Sequence, residues 1–212
     1  MDLLAQLADG VINGNDKGVA EVTQRVIDQG TAPKAILDDG LIAGMNVVGE
    51  RFRVHDIFLP DVLLAARAMY AGMDLLKPLL IKAGVPSIGK VVIGSVQGDL
   101  HDIGKNLVGI MLKGAGFDVI DLGNDVPPEK MVKTAKEQGA SVIGMSALLT
   151  TTMPVMGKVV ELIQQEGLSR NIKTIVGGAP VSEDFARDIG ADAHGFDAAN
   201  AVDRVKELMG GR

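Results

Sequence analysis

Apolar residues recur every three to four positions through roughly the first 84 residues. This spacing predicts four amphipathic helices that are joined by short turns and form a small bundle. Asn15 is the expected N-cap of the second helix, Pro33 lies in the first turn of the third, and Pro60 opens the fourth. The apolar stripes consist of Leu3, Leu4, Leu7, Val11, Val19, Val22, Val26, Ile27, Ile36, Leu37, Leu41, Met45, Val48, Leu63, Leu64, Met69, Met73 and Leu76.

The pattern changes after a linker that contains two Gly and one Pro, at residues 84–89. Short apolar runs predict strands at Lys90–Ser95, Phe117–Leu122, Ser141–Ser146, Ile172–Gly177 and near Ala193. Helical spacing is found at Ile103–Ala115, Pro128–Gln138, Met153–Gln165, Val181–Ile189 and Ala198–Met209. This alternation predicts an α/β fold with a five-stranded parallel sheet in the flavodoxin-like order 2-1-3-4-5. We therefore expect a helical domain at residues 1–86 and an α/β domain at residues 87–212.

The composition narrows the chemistry that this chain can perform. Hydrophobic residues make up 47% of the 212 residues, which is enough to form real cores. Aromatic residues make up only 3%, and the formal net charge is -6, so neither base stacking nor attraction to phosphate backbones favours a nucleic-acid partner. The absence of Cys excludes disulfides and thiolate chemistry. His55, His101 and His194 are the only strong nitrogen ligands for a transition metal.

The sequence also carries an expectation about location. The N-terminal residues lack the basic segment and apolar core of a signal peptide. No stretch approaches the roughly 18 uncharged apolar residues of a membrane span. A cytoplasmic protein without a membrane partner is expected.

Ligands of such sheets bind outside the carboxyl ends of the strands, at the switch point between the first and third strands. The loop after the first strand covers residues 96–102, the loop after the third runs from Ser146 to Thr152, and the loop after the fourth begins at Gly177-Gly178. Because strands 1, 3 and 4 are neighbours in the predicted order, these three segments are expected to line one crevice.

The first of these loops offers a metal ligand. His101 is flanked by Asp99, which can accept the proton of the second ring nitrogen and so fix the tautomer, and by Asp102, the expected N-cap of the next helix. Gly98 and Gly104 remove side chains where a large flat ligand could press against backbone. A lone His in a loop is, however, more often a surface residue than a ligand.

The other two loops offer hydroxyl groups and small residues. Ser146, Thr150 and Thr152 could bond polar ligand groups, and Gly177 and Gly178 could open space beside the fourth strand. The Ser/Thr run is equally consistent with a capped helix start, and Gly-Gly after a strand is commonly a tight turn.

Three sequence blocks together resemble a known signature, DxHxxG…SxL…GG, of B12-binding domains. The string GDLHDIGKNLVGIML resembles the corrinoid domain of methionine synthase and of anaerobic methyltransferase corrinoid proteins. The strings GMNVVGERF and IFLPDVLLAARAM resemble the helical cap of the same proteins. The chain is most similar to the small stand-alone corrinoid proteins of three-component methyltransferase systems. The matching residues are Asp99, His101, Gly104, Ser146, Leu148, Gly177 and Gly178.

This resemblance implies a cofactor, cobalamin or a related cobamide, whose benzimidazole tail leaves cobalt and enters a slot beside the sheet. It implies that His101 is the lower axial ligand to cobalt and that Asp99 and Thr152 form a relay behind it, where methionine synthase usually has Ser at the Thr152 position. Phe58, adjacent to Leu59, matches an aromatic residue of the helical cap. The remaining implied cofactor contacts are Gly98, Leu100, Asp102, Ile103, Gly104, Ser146, Leu148, Thr150, Gly177, Gly178 and, more weakly, Ala198.

The resemblance also implies a function, that of a methyl carrier. Cob(I)alamin would take a methyl group from a methyltransferase specific for a methylamine, methanol, a methoxylated aromatic compound or glycine betaine. Methylcob(III)alamin would then pass it to a second methyltransferase that uses coenzyme M or tetrahydrofolate, and a reductive activase is a further implied partner. Alternatives are the B12 subunit of a carbon-skeleton mutase, which generally lacks this cap; a B12-sensing regulator, which normally appends a basic DNA-binding module not seen here; and a cofactor-free receiver-like module.

Overall fold

The computed structural model describes residues 2–85 and 87–210, and the chain divides into two compact units. The helical unit comprises Met1–Ser87 with Gly114–Gly116, and the α/β unit comprises Ile88–Lys113 with Phe117–Arg212. The predicted domain boundary falls at Pro86, which lies outside the described residues, so the domain limits stay a prediction. No helix within residues 2–85 and 87–210 is both long enough and apolar enough to cross a membrane.

The helical unit differs from the predicted four helices in its third segment. That segment is one continuous helical run made of a short α-helix, a π-helical stretch at Ile36–Ile42 and a second α-helix. Apolar spacing signals a helix without distinguishing an α-turn from the wider π-turn, and this π-helical stretch buries Ile36, Leu41 and Ile42. The α-helices of the unit are α1 (Leu3–Ile12), α2 (Asp16–Asp28), α3 (Pro33–Ala35), α4 (Ala43–Arg53) and α5 (Leu59–Lys82).

The predicted helix starts of this unit are confirmed. The Asn15 side chain accepts a hydrogen bond from the Gly18 amide at 3.0 Å and caps α2. Pro33 and Pro60 both lie in the first turn of their helices, where the missing N–H costs nothing. The core is formed by inward-facing apolar residues of every long helix, including Leu7, Val11, Val19, Val26, Met45, Val48, Met69 and Leu76.

The α/β unit has the predicted five-stranded parallel sheet, and its order β2-β1-β3-β4-β5 is confirmed. The observed element bounds differ from the predicted ones by at most two residues. The strands are β1 (Lys90–Ser95), β2 (Asp118–Asp121), β3 (Val142–Ser146), β4 (Lys173–Gly177) and β5 (Ala193–Gly195). The helices are α6 (Ile103–Gly114), α7 (Pro128–Gln138), α8 (Pro154–Gln165), α9 (Glu183–Asp188) and α10 (Ala198–Leu208).

The three central strands are buried and fix the carboxyl edge of the sheet. β1, β3 and β4 consist largely of buried apolar residues, as expected for strands covered on both faces. One large core cluster joins these strands to the apolar faces of α7 and α8. The rigid sheet therefore sets the positions from which the loops at its carboxyl edge begin.

Candidate functional site

Four small residues form one row at the carboxyl edge of the sheet. Ser95 pairs with Ser146, Ser146 with Gly177, and Gly177 with Gly195. The loops after β1, β3 and β4 all start from this row, so the three segments predicted to converge do begin side by side. The row explains how residues about 50 positions apart along the chain can share one hydrogen-bond network.

The network centres on Asp99, whose side chain is fully buried. Its Oδ1 accepts from the His101 amide at 3.0 Å and lies 2.8 Å from His101 Nδ1. Its Oδ2 accepts from the Leu148 amide at 2.7 Å, the Leu149 amide at 3.2 Å and Thr152 Oγ1 at 2.9 Å. Asp99 therefore ties the loop after β1 to the loop after β3.

This environment keeps Asp99 ionised. Burial on its own raises the pKa of the carboxyl group. Hydrogen bonds lower this pKa by more than burial raises it, and they come from the His101 and Leu148 amides, the His101 ring and the Thr152 hydroxyl. The net result is a pKa well below the ordinary Asp value. A buried carboxylate at neutral pH is thus stabilised by donors from two loops.

The ring of His101 is held at one nitrogen. Because an ionised carboxylate can only accept, Nδ1 carries the proton that points to Asp99, and in the neutral form of the ring the lone pair is therefore on Nε2. Within the described residues, no group makes a hydrogen bond to Nε2, and the side chain is 51% exposed. The backbone carbonyl of His101 accepts from the fully buried Ser95 hydroxyl at 2.6 Å. His101 therefore presents Nε2 on a ring that is oriented by Asp99.

Thr152 occupies the position that the resemblance assigns to the relay. Its side chain is buried, and Oγ1 lies 2.9 Å from Asp99 Oδ2 and 2.9 Å from the Leu149 carbonyl oxygen. The hydroxyl has one proton, so it can donate to only one of these acceptors at a time. The hydroxyl thus reaches Asp99 at normal hydrogen-bond distance although the residue is Thr.

The glycines of the motif have different physical roles. A Cβ at Gly104, in the first turn of α6, would meet no atom within 4 Å. A Cβ at Gly178, which has φ +129°, would lie 1.9 Å from the Ala147 carbonyl oxygen, and one at Gly177 would lie 2.8 Å from that of Gly195. Close packing of backbone around the Cβ positions of Gly177 and Gly178 explains why both residues lack a side chain, and the expectation that they open space for a ligand stays a prediction. Their space is filled by neighbouring backbone, whereas Gly104 leaves open space.

Exposed apolar side chains accompany this network. Leu100 and Ile103 belong to the loop and helix start around His101, and Leu148 and Leu149 belong to the loop after β3. All four are large hydrophobic residues that remain exposed. Exposed apolar groups beside an oriented polar atom are typical of a ligand-binding surface.

The other predicted residues lie outside the Asp99 network. Asp102 directly precedes α6, and its carbonyl accepts from Asn106, but its carboxylate makes no hydrogen bond to the described residues. The predicted side-chain N-cap is therefore absent. Thr150 is exposed, and Ala198 is buried at the start of α10. Phe58 is an exposed residue of the helical unit, at the N-terminus of α5. Ser146 ends β3 within the edge row, and the ligand roles of all these residues stay predictions.

Sequence reasoning missed the residues that hold the backbone of the His101 loop. The sequence predicts Ser95 only as part of a strand, and it assigns no role to Asn124 and Asp125, which lie in the loop after β2. Asp125 Oδ1 accepts from the Gly98 amide at 2.7 Å, and Asn124 Nδ2 donates to the Leu100 carbonyl at 3.3 Å. The only available signal was the turn-forming composition of Gly-Asn-Asp after β2.

Comparison with known proteins shows the family to which this chain belongs. Residues 89–205 match the model of a B12 binding domain, and residues 3–77 match a second B12 binding domain model. Dimethylamine corrinoid protein 1 of Methanosarcina acetivorans is 44% identical over 209 residues, which cover 98% of each chain. The chain belongs to the B12-binding corrinoid protein family. Its resemblance to corrinoid proteins, expected from the motifs, is thereby confirmed.

Solved structures support the same family. The crystal structure of the methanol:cobalamin methyltransferase complex MtaBC from Methanosarcina barkeri matches this corrinoid protein with a TM-score of 0.88 and 32% identity, over 99% of this chain and 80% of that one. A cobalamin-binding protein from Desulfitobacterium hafniense matches with a TM-score of 0.80 and 35% identity, over 98% of each chain. The predicted fold class is confirmed by these matches.

The cofactor of this corrinoid protein is a cobalamin-type corrinoid, as the family establishes, and the residues present fit it. A corrin ring brings its own equatorial nitrogen ligands, so a protein needs to add only an axial donor. His101 offers such a donor, with a carboxylate behind it that fixes the tautomer. The open space at Gly104 and the exposed Leu100 and Ile103 are suited to a large apolar ring.

Proposed function

We propose that this corrinoid protein carries a methyl group between two methyltransferases. The first would be specific for a methylamine, methanol, a methoxylated aromatic compound or glycine betaine, and the second would use coenzyme M or tetrahydrofolate. A reductive activase would return the cofactor to its active state. The protein itself would be a carrier subunit whose partners choose the donor and the acceptor.

Two findings support this proposal. The relatives are named as corrinoid proteins of dimethylamine and trimethylamine, and a structural relative belongs to a methanol:cobalamin methyltransferase complex. The observation that carries it in this chain is the continuous set of hydrogen bonds from His101 Nδ1 through Asp99 to Thr152. Such a network prepares an axial imidazole that can be tuned during turnover.

When bound, the corrinoid supplies a cobalt centre that accepts and releases the methyl group. The chain's own residues would hold and tune that centre. His101 Nε2 would be the axial donor, and Asp99 would hold the proton on Nδ1. The hydroxyl of Thr152 and the amides of Leu148 and Leu149 would keep Asp99 ionised, and so set how strongly Nε2 donates.

The axial role can be tested with isotope-labelled protein. The wild type, with its three histidines labelled with ¹⁵N, is loaded with unlabelled cobalamin and reduced to the Co(II) state. We expect the nitrogen splitting in the electron paramagnetic resonance spectrum to change from triplets to doublets, because the ligand nitrogen comes from the protein. His101→Ala should abolish this signature, and His55→Asn, which keeps a residue suited to the positive φ at position 55, should retain it. Triplets in the labelled wild type would show that cobalt keeps its own base, which would refute the axial assignment.

Methyl transfer is tested separately. The loaded protein is reduced further to the Co(I) state and treated with methyl iodide, from which iodide leaves, and the optical spectrum is followed for conversion to the methylated form. Conversion, followed by loss of the methyl group to a thiol in the presence of a partner methyltransferase, is the expected result. Binding of cobalamin without methylation would instead favour the subunit of a mutase or a sensor.

A further inference from the structure

The loop that contains His101 follows β1, and it is held by hydrogen bonds from the loops that follow both neighbouring strands, β2 and β3. On the side of β3, the carboxylate of Asp99 is bound by the Leu148 and Leu149 amides and by Thr152. On the side of β2, a separate set of bonds holds the backbone of Gly98–His101. The first set holds the carboxylate that contacts the ring of His101, whereas the second set holds the backbone of the loop.

Asp125 makes two of the bonds on the β2 side. Its carboxylate accepts from the Gly98 amide at 2.7 Å, and its own amide donates to the Asp99 carbonyl at 3.0 Å. Gly98 has φ +86°, and Asp125 has φ +52°, so both lie in the left-handed region. Left-handed conformations of non-glycine residues are uncommon and persist where surrounding contacts hold them.

Other bonds extend this attachment along the loop. Asn124 donates from Nδ2 to the Leu100 carbonyl at 3.3 Å. Ser95 donates from Oγ to the His101 carbonyl at 2.6 Å, and its backbone is tied to the same β2 loop, through Gly123 and Val126, at 3.0 Å each. Each residue from Gly98 to His101 is thus bonded through its backbone to Asp125, Asn124 or Ser95.

We infer that Asp125, assisted by Asn124, is a positioning residue for the axial histidine. The bond from its carboxylate to Gly98 holds the loop in the conformation in which Nε2 of His101 can ligate, and so favours the ligated form of the cofactor over the unligated form. This inference rests on the axial role proposed for His101. It assigns to the loop after β2 a part in cofactor tuning that is separate from the Asp99 relay.

Three variants separate the hydrogen bond from the backbone conformation. Asp125→Asn keeps an oxygen acceptor for the Gly98 amide and tolerates positive φ. Asp125→Gly tolerates positive φ but lacks the acceptor. Asn124→Ala removes the neighbouring bond to Leu100 alone. These positions are exposed, so the substitutions leave the core of the sheet intact.

The variants are loaded with hydroxocobalamin, and cyanide is titrated until it displaces the protein ligand, with the ¹⁵N-histidine signature of each Co(II) form as the identity check. We expect Asp125→Gly to lower the displacing cyanide concentration by about three- to tenfold, because a charge-assisted hydrogen bond in a partly exposed loop is lost. The displacing cyanide concentration of Asp125→Asn should stay within about twofold of the wild-type value, and that of Asn124→Ala should be lower by about twofold or more. In the cofactor-free protein, Asp125→Gly should speed hydrogen exchange at the Gly98 amide severalfold and leave the Leu148 amide protected.

The outcomes distinguish this inference from the proposed function. Asp125 does not position the histidine through Gly98 if the displacing cyanide concentration of Asp125→Gly equals that of the wild type. The same conclusion follows if Asp125→Asn lowers this concentration as much as Asp125→Gly does. If the labelled wild type shows no protein nitrogen on cobalt, both the axial assignment and this inference are overturned. If the wild type shows that nitrogen while Asp125→Gly is unchanged, only this inference is overturned.

Discussion

Replacing Asp99 by Asn keeps the shape of the side chain and exchanges one of its two acceptor oxygens for a donor group. In the wild type, two donors from His101 face Oδ1, and three donors, from Leu148, Leu149 and Thr152, face Oδ2. The amide of Asn cannot satisfy both sets. The better orientation places its oxygen toward the three donors and its NH₂ group toward His101.

This orientation has two consequences for His101. Its backbone amide loses an acceptor, and its ring can bond the NH₂ group only if Nδ1 gives up its proton. The tautomer would then carry the proton on Nε2, where it blocks ligation of a metal. Asp99→Asn should therefore impair axial ligation almost as fully as His101→Ala, although the histidine remains.

The cost to folding follows from the same bonds. The part-buried amide of His101 loses its acceptor, which costs about 1 kcal/mol, and three bonds to a charged oxygen become weaker bonds to a neutral one. We expect the α/β unit to lose about 2–4 kcal/mol in its free energy of unfolding.

Native-state hydrogen exchange of the central-strand amides of β1 and β3, in the cofactor-free protein, measures this cost for the α/β unit specifically. Asp102→Asn is the matched control, because the Asp102 carboxylate makes no hydrogen bond to the described residues, and its effect should stay within about 0.5 kcal/mol. If Asp99→Asn is as stable as this control and keeps the ¹⁵N-histidine signature, then Asp99 is not the group that fixes the ring of His101.

The same comparison has a defined pH dependence. The pKa of Asp99 is lower in the folded protein than in the unfolded chain, so its ionisation stabilises the fold at pH values above the ordinary Asp range of about 4. That contribution is lost as the pH falls below this range toward the folded pKa. The stability difference between wild type and Asp99→Asn should therefore be largest near pH 7 and shrink steadily below about pH 4. A difference that stays constant down to pH 2 would contradict this cause.

The remaining predictions concern the relay, the glycines and a buried ion pair. Thr152→Ser should stay within about 1 kcal/mol of wild type in unfolding free energy, whereas Thr152→Val should cost about 1–3 kcal/mol because Asp99 loses a donor; equal costs would contradict a role for the hydroxyl. Gly104→Ala should leave the cofactor-free fold as stable as the wild type or up to about 1 kcal/mol more stable. The same variant should weaken cobalamin binding by about tenfold in a binding titration. Gly178→Ala, in contrast, should prevent normal folding, as circular dichroism would show. The Lys105 ammonium is buried and donates to both Asp121 oxygens at 2.6 Å. Asp121→Ala should therefore lower the free energy of unfolding, measured by hydrogen exchange, by about 3–4 kcal/mol, and Lys105→Met should lower it by only about 1–2 kcal/mol, because Asp121 is partly exposed and can be rehydrated. The reverse order would refute this account.

The fold was largely predictable because its signals are periodic. Buried parallel strands such as Lys90–Ser95 appear as short apolar runs, and amphipathic helices such as α7 show their stripe directly. The order of the strands followed from the rules of doubly wound sheets. The π-helical stretch at Ile36–Ile42 was not predictable, because its apolar spacing is compatible with an ordinary helix.

The site was predictable only where its residues belong to a motif. Asp99 and His101 are two residues apart, so their pairing could be expected from the sequence. The bond from Asp125 to Gly98 joins residues 27 positions apart, and it depends on left-handed backbone at both ends. No local pattern encodes such a bond. In the same way, Gly178 could be expected in a turn, but its approach to the Ala147 carbonyl depends on how two loops meet.

The long sequence separations in the Asp99 network have a consequence for the order of events during synthesis. The donors to Asp99 Oδ2 lie 49 to 53 residues downstream of it. While the ribosome is still making β3, the histidine motif has emerged, but its carboxylate has no partners on that side. Asp99 Oδ2 gains these donors only after residue 152 has left the ribosome and β3 has joined the sheet, since parallel pairing requires a completed crossover. Cofactor uptake that depends on His101 would thereby be coupled to the joining of β3 to the sheet, and a nascent chain that stops short of this point would carry Asp99 and His101 without the three donors to Asp99 Oδ2.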